Sequence, residues 1–228
     1  MVLVRGYKDD KYYRDMYQLL NGIVLPGGEL DLLTSECSRV AYLFMSMAKE
    51  EFDRCGEYFP IWGVCQGYHQ LAIFAADMNA DVLTETNTYD LALPLELYGN
   101  WRSSRLLGGA PNDVIKVWQT EDITSHNHKF SLTTKTFTSN PALNRFFKII
   151  STNIDKHQEF VSTFEAIKYP WYGLIWHPEM NVYAWKRNLP IKCTPSTRSV
   201  SQYFANFLVD EARRSGHREA SYEQACCF

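Results

Sequence analysis

The chain has 228 residues, enough for one domain with a sizeable core, and a formal net charge of −3 with no long run of one sign. That balance lacks the basic stripe of a nucleic-acid binder, and no apolar run is long enough to span a membrane. Six cysteines, at 37, 55, 65, 193, 226 and 227, follow neither a disulfide framework nor a zinc-ligand spacing, so no metal site is expected.

Val2-Leu3-Val4 reads as a very short strand. A helix follows around Tyr12–Leu20, with Tyr13, Met16, Tyr17 and Leu20 on one face. Gly22 to Leu25 reads as a buried strand stopped by Pro26-Gly27-Gly28. Thr34 or Ser35 starts a helix whose inner face is Cys37, Val40, Ala41, Phe44, Met47 and Ala48, ending near Cys55-Gly56. Tyr58 to Val64 is a bulky strand, and past Cys65 the apolar spacing of Leu71, Ala72, Phe74 and Ala75 turns helical. This alternation predicts an α/β fold with a largely parallel sheet covered by helices on both faces. From about Asp81 to Phe164 the pattern changes. Phe130–Phe137 and Glu159–Phe164 alternate as strands of an inserted antiparallel ribbon, while Asn144–Ile150 straddles a helix end and a strand. Trp171 to Trp176 is a further apolar strand, leading into His177-Pro178-Glu179. Val200, Tyr203, Phe204, Phe207, Leu208 and Ala212 trace a closing helix that ends at Arg213-Arg214. Residues 1–216 are expected to form one domain, and 217–228 a loose polar tail.

The chemistry concentrates at Gly63-Val64-Cys65-Gln66-Gly67. A nucleophile on a strand-to-helix turn this tight needs neighbours without side chains, which Gly63 and Gly67 supply. The turn also aims the free N–H groups of the helix N-terminus at the sulfur, favouring thiolate. The competing reading is a buried structural cysteine. A thiolate nucleophile needs a base that can return a proton, and a group that orients the base. His177 sits at a strand end, and Glu179, two residues on, can reach its far ring nitrogen and hold the tautomer.

Taken together, Pro26-Gly27-Gly28, Gly63 to Gly67 and Trp176-His177-Pro178-Glu179 resemble the ordered motifs of the class I glutamine amidotransferase-like superfamily. The stretches from Asn21 to Gly28, Tyr58 to Cys65, His128 to Leu132 and Tyr169 to Glu179 resemble the gamma-glutamyl hydrolases, over nearly the whole chain. The resemblance implies a flavodoxin-like fold, no cofactor, and removal of glutamate from folylpoly-γ-glutamates through a γ-glutamyl thioester. Carried over, it makes Cys65 the nucleophile, His177 the base and then the acid, and Glu179 the orienting group. Backbone N–H groups of the Gly27-Gly28 turn and of Gln66 would form the oxyanion hole. His128 matches a histidine of the family's substrate cleft, though a polar loop residue is an equal reading. Arg105 and Lys129 are candidates for gripping substrate carboxylates, with solvated surface residues as the alternative.

Two departures from the family stand out. His69 occupies the position, four after the nucleophile, where carboxylate is usual; it could touch substrate instead, and Gln70 could substitute for the missing group. Family members also begin with a strand and a helix ahead of anything here, so Val2-Leu3-Val4 would be their second strand. A sheet lacking its first strand would leave backbone groups unpaired in its middle, as a truncated product would. The resemblance implies a lysosomal or secreted protein, commonly a homodimer, whereas this chain opens without a signal peptide and would be cytoplasmic if complete. Two other functions remain open on sequence: a glutaminase-type domain feeding ammonia to a synthetase, and an inactive remnant that only binds.

Overall fold

A computed structural model describes residues 1–183 and 193–218. In chain order its first elements are α1 (Asp10–Leu19), β1 (Ile23–Leu25), α2 (Glu36–Cys55), β2 (Ile61–Val64) and α3 (Gln66–Ala75). Short pieces follow: β3 (Thr84–Glu85), β4 (Leu91–Leu93), β5 (Glu96–Leu97), α4 (Asn112–Thr120), β6 (Thr124–His126) and β7 (Phe130–Ser131). The chain then runs through α5 (Thr134–Ser139), α6 (Pro141–Phe146), β8 (Phe147–Ile154), β9 (Glu159–Ala166), β10 (Trp171–Leu174), α7 (Met180–Tyr183) and α8 (Pro195–Ala212).

Local chemistry sets the helix ends. Asp9 accepts the Tyr12 N–H at the start of α1, and Ser35 accepts the Ser38 N–H at the start of α2. Gly56, at φ 78°, closes α2 in the left-handed region. Thr194 and Thr197 form a reciprocal capping box on α8.

The main sheet has the order β1-β2-β10-β9-β8-β5. β1, β2 and β10 are parallel, and the remaining pairings are antiparallel. On one face α3 sets Tyr68 against Phe164 of β9, with ring centres 4.5 Å apart. On the other, Phe204 and Phe207 of α8 pack on Trp62 and Tyr172. The register brings Leu25, Gly63 and Gly173 level across the three parallel strands. Their C-terminal ends therefore open on one rim, where sites assemble in α/β sheets.

The α/β class and the helices on both faces agree with the sequence reading, but the sheet is mixed rather than largely parallel. The ribbon is the β8–β9 hairpin, paired directly onto β10 and so part of the central sheet. Asn144–Ile150 does cross from α6 into β8. Of Phe130–Phe137, Phe130 and Ser131 form a strand and Thr133 adds an isolated bridge to Phe160. Thr133 accepts the Thr136 N–H and starts α5, so a helix cap overrides the β-branched run. Val2-Leu3-Val4 forms no strand. β1 is an edge strand whose one partner among the described residues is β2, with Val24 39% exposed. The anticipated gap inside the sheet is thus an open edge.

The start of the expected loose tail is fastened. His217 Nδ1 lies 2.9 Å from the carbonyl oxygens of Tyr17 and Leu20, its Nε2 lies 3.1 Å from Glu51, and its own carbonyl accepts from Asn21. Residues 219–228, including the Cys226-Cys227 pair, lie outside the described residues.

Candidate active site

Cys65 joins β2 to α3 with φ 51° and ψ −101°, a strained conformation for a residue with a side chain. Packing enforces it. A Cβ on Gly63 would come within 2.6 Å of the Gly67 backbone, and one on Gly67 would run into the Leu25 carbonyl. The elbow is therefore pressed against both its own helix and β1, with no room for a methyl group at either glycine. The Cys65 N–H donates to Leu174 O at 2.8 Å, tying the elbow's backbone to β10. Cys65 keeps 7% of its surface exposed at the rim.

β10 leads to His177, whose N–H is held by Ser125 O of β6 at 2.9 Å. The imidazole Nδ1 is 2.6 Å from Glu179 Oε1, which leaves Nε2 for the sulfur. That the two side chains converge is shown by Gly27: a Cβ there would lie 2.7 Å from His177 Cε1 and 3.3 Å from Cys65 Cβ. Only glycine lets the loop after β1 close over the pair. Burial opposes charge on His177, but hydrogen bonds to Cys65 and Glu179 outweigh it and its pKa is pushed up to about 9. Gly28 lies against the Gln66 side chain in the same way. Gln66, Gly67 and Tyr68, in the first turn of α3, present N–H groups with no intrahelical acceptor. The structure thus gathers Cys65, His177, Glu179, Gly27, Gly28 and Gln66 at one place. Among the described residues no cluster of side chains is suited to a metal.

The expected substrate-gripping residues are placed differently. His69 is buried with Nε2 2.9 Å from Phe130 O, and burial holds its pKa down to about 4. Gln70 turns away and donates to Ser38 of α2, so it replaces no carboxylate at the site. Arg105 is committed to the carbonyls of Ala166 and Tyr169 and to the Tyr172 hydroxyl. Those groups lie where β10 begins, at the rim opposite Cys65, so Arg105 is a brace. Lys129 is half-exposed and pairs with Glu85 at 3.5 Å.

His128 is buried, and its partner is a residue that the sequence reading passed over. Thr124 Oγ1 lies within reach of Leu93 O and, at 2.9 Å, of His126 Nε2. His126 Nδ1 lies 3.1 Å from His128 Nε2, and His128 Nδ1 lies 3.1 Å from both the Phe130 carbonyl oxygen and the Ser131 hydroxyl. Every ring nitrogen of both histidines thus has a protein partner, leaving neither free for substrate. Burial, followed by the nearby positive His177, holds His126 down to about 3; burial, then His126 and His69, holds His128 well below its ordinary value. The neutral pair ties β6 to β7, and β6 holds the backbone of His177. The signal in the sequence was the His-x-His spacing, which puts both rings on one side of an extended chain.

No protein-family model matches the chain. Among curated proteins, the gamma-glutamyl hydrolase of Mus musculus is 39% identical over 217 residues, covering 95% of this chain and 68% of its own. The gamma-glutamyl hydrolase of Homo sapiens is 37% identical, covering 100% of this chain and 72% of its own. Gamma-glutamyl hydrolase B of Dictyostelium discoideum is 34% identical, over 92% and 61%. With that similarity running through the elbow, the histidine strand and the glycine loop alike, the chain belongs to the gamma-glutamyl hydrolase family.

Proposed function

We infer that this chain hydrolyses γ-glutamyl bonds, the activity that its relatives' names carry, and does so through a thioester on Cys65. The observation that supports the mechanism best is the ordered contact of Glu179 with His177 and of His177 with Cys65, beneath a glycine that nothing larger could replace. In the first half-reaction the sulfur attacks the γ-carbonyl carbon as thiolate, its proton already held on His177 Nε2. The developing oxyanion is met by N–H groups of the Gly27-Gly28 loop and of Gln66. As the C–N bond breaks, His177 gives its proton to the departing amine. Water then attacks the thioester, His177 takes its proton, and the carboxylic acid and the thiolate separate. Glu179 holds Nδ1–H throughout, so Nε2 always faces the sulfur.

Folylpoly-γ-glutamates are the proposed substrate class. Incubation of the full chain with a folate pentaglutamate and, separately, with free glutamine tests the assignment. Shortened folate tails with released glutamate are expected. Ammonia from glutamine with intact folate tails would instead identify a glutaminase.

A further inference from the structure

Gln66 stands at the first position of α3, directly after the nucleophile, and its side chain turns back under the loop that follows β1. Its Oε1 accepts the Leu30 N–H at 3.0 Å. It lies so close to Gly28 that a Cβ there would come within 2.5 Å of the same oxygen. Among the described residues, no other side chain forms a hydrogen bond to residues 26–30. The loop needs such a fastening, because paired glycines have the most permissive backbone of any residues and oxyanion donors must be held to within about 0.5 Å. The side chain is 4% exposed and its Nε2 has no partner. Methionine would fill the space without leaving that buried donor unpaired, so it is the carbonyl end that distinguishes glutamine here.

We propose that Gln66 is a positioning residue for the acyl-oxygen site: its side-chain carbonyl fastens the Gly27–Leu30 loop to the elbow and so sets the loop's N–H donors relative to Cys65. This rests on the hydrolase reading above. It separates two properties that a general disturbance of the elbow would change together. Hydrolysis develops an oxyanion and depends on the fastened loop; alkylation of the thiolate by iodoacetamide develops none.

Gln66→Met in the full chain is therefore expected to lower kcat for γ-glutamyl hydrolysis about tenfold or more, the effect of loosening an oxyanion donor. KM and the rate of Cys65 alkylation by iodoacetamide stay near those of the unsubstituted chain. An unchanged kcat would overturn the proposal, and so would a parallel fall in kcat and alkylation. Should Gln66→Met fail to fold, Gly28→Ala serves the same purpose by pushing the loop off Oε1, with the same split expected and the same two results against it. An active parent chain with an indifferent Gln66→Met removes this inference alone. A parent chain that alkylates but releases no glutamate removes the hydrolase reading itself.

Discussion

His177 is held between burial, which resists its charge, and two partners that reward it, and the partners prevail with a pKa near 9. A raised value means that its charge stabilises the fold below about pH 6.5, and that this contribution is lost as pH rises through about 9. In the proposed mechanism the same proton is the one delivered to the leaving amine, so kcat/KM should hold through neutral pH and fall above about pH 9. Glu179→Gln removes one of the two supports. Its pH–rate profile should show the alkaline limb moved to lower pH, with kcat reduced about tenfold, the scale of one hydrogen bond to a charged group. An unmoved limb would mean that Glu179 does not tune the imidazole. Gly27→Ala should be inactive yet folded, because its methyl group displaces the imidazole at the rim without entering the core. Steady-state kinetics beside a thermal melt check that pair of outcomes.

At the scale of elements, the elbow holds β1, β2 and α3 together through backbone contact, so its glycines differ from glycines elsewhere. Gly67→Ala drives a methyl group into the Leu25 carbonyl, which cannot swing aside, and should cost about 3 kcal/mol in urea unfolding. Gly56→Ala meets nothing within 4 Å and strains only the left-handed cap, so it should cost about 1 kcal/mol. Equal losses would contradict the packing account. The same contrast explains what could be read in advance. The elbow and the His177-Pro178-Glu179 end were legible because a few neighbouring residues dictate them: small flanks, an apolar strand, a helix start. Arg105 was not, since its role depends on carbonyls more than 60 residues away. Nor was the His126–His128 pair, whose burial comes from β4, β7 and β9 closing around it. Thr133 shows the reverse failure, a local cap defeating a local strand pattern.

Across the whole molecule, three buried histidines face acid together. His69, His126 and His128 stay neutral in the folded chain and take protons only when it unfolds, so their contribution is present above about pH 6.5 and lost as pH falls. Between pH 6.5 and about 4, stability should therefore drop by up to about 4 kcal/mol per pH unit, one proton for each ring. Urea midpoints across that range measure the slope. His126→Gln should flatten it by about 1.4 kcal/mol per pH unit. An unchanged slope would show that the ring is not held neutral.

The largest consequence of the architecture is that three parallel strands, far apart in sequence, deliver a glycine loop, a sulfur and an imidazole to one rim. Glutamate release from a γ-linked folate tail, measured for the unsubstituted chain and for Cys65→Ala side by side, tests that most directly. Loss of activity by at least about a thousandfold in Cys65→Ala, with an unchanged melting temperature, is the expected result. Turnover that survives the substitution would place the nucleophile elsewhere and contradict the account.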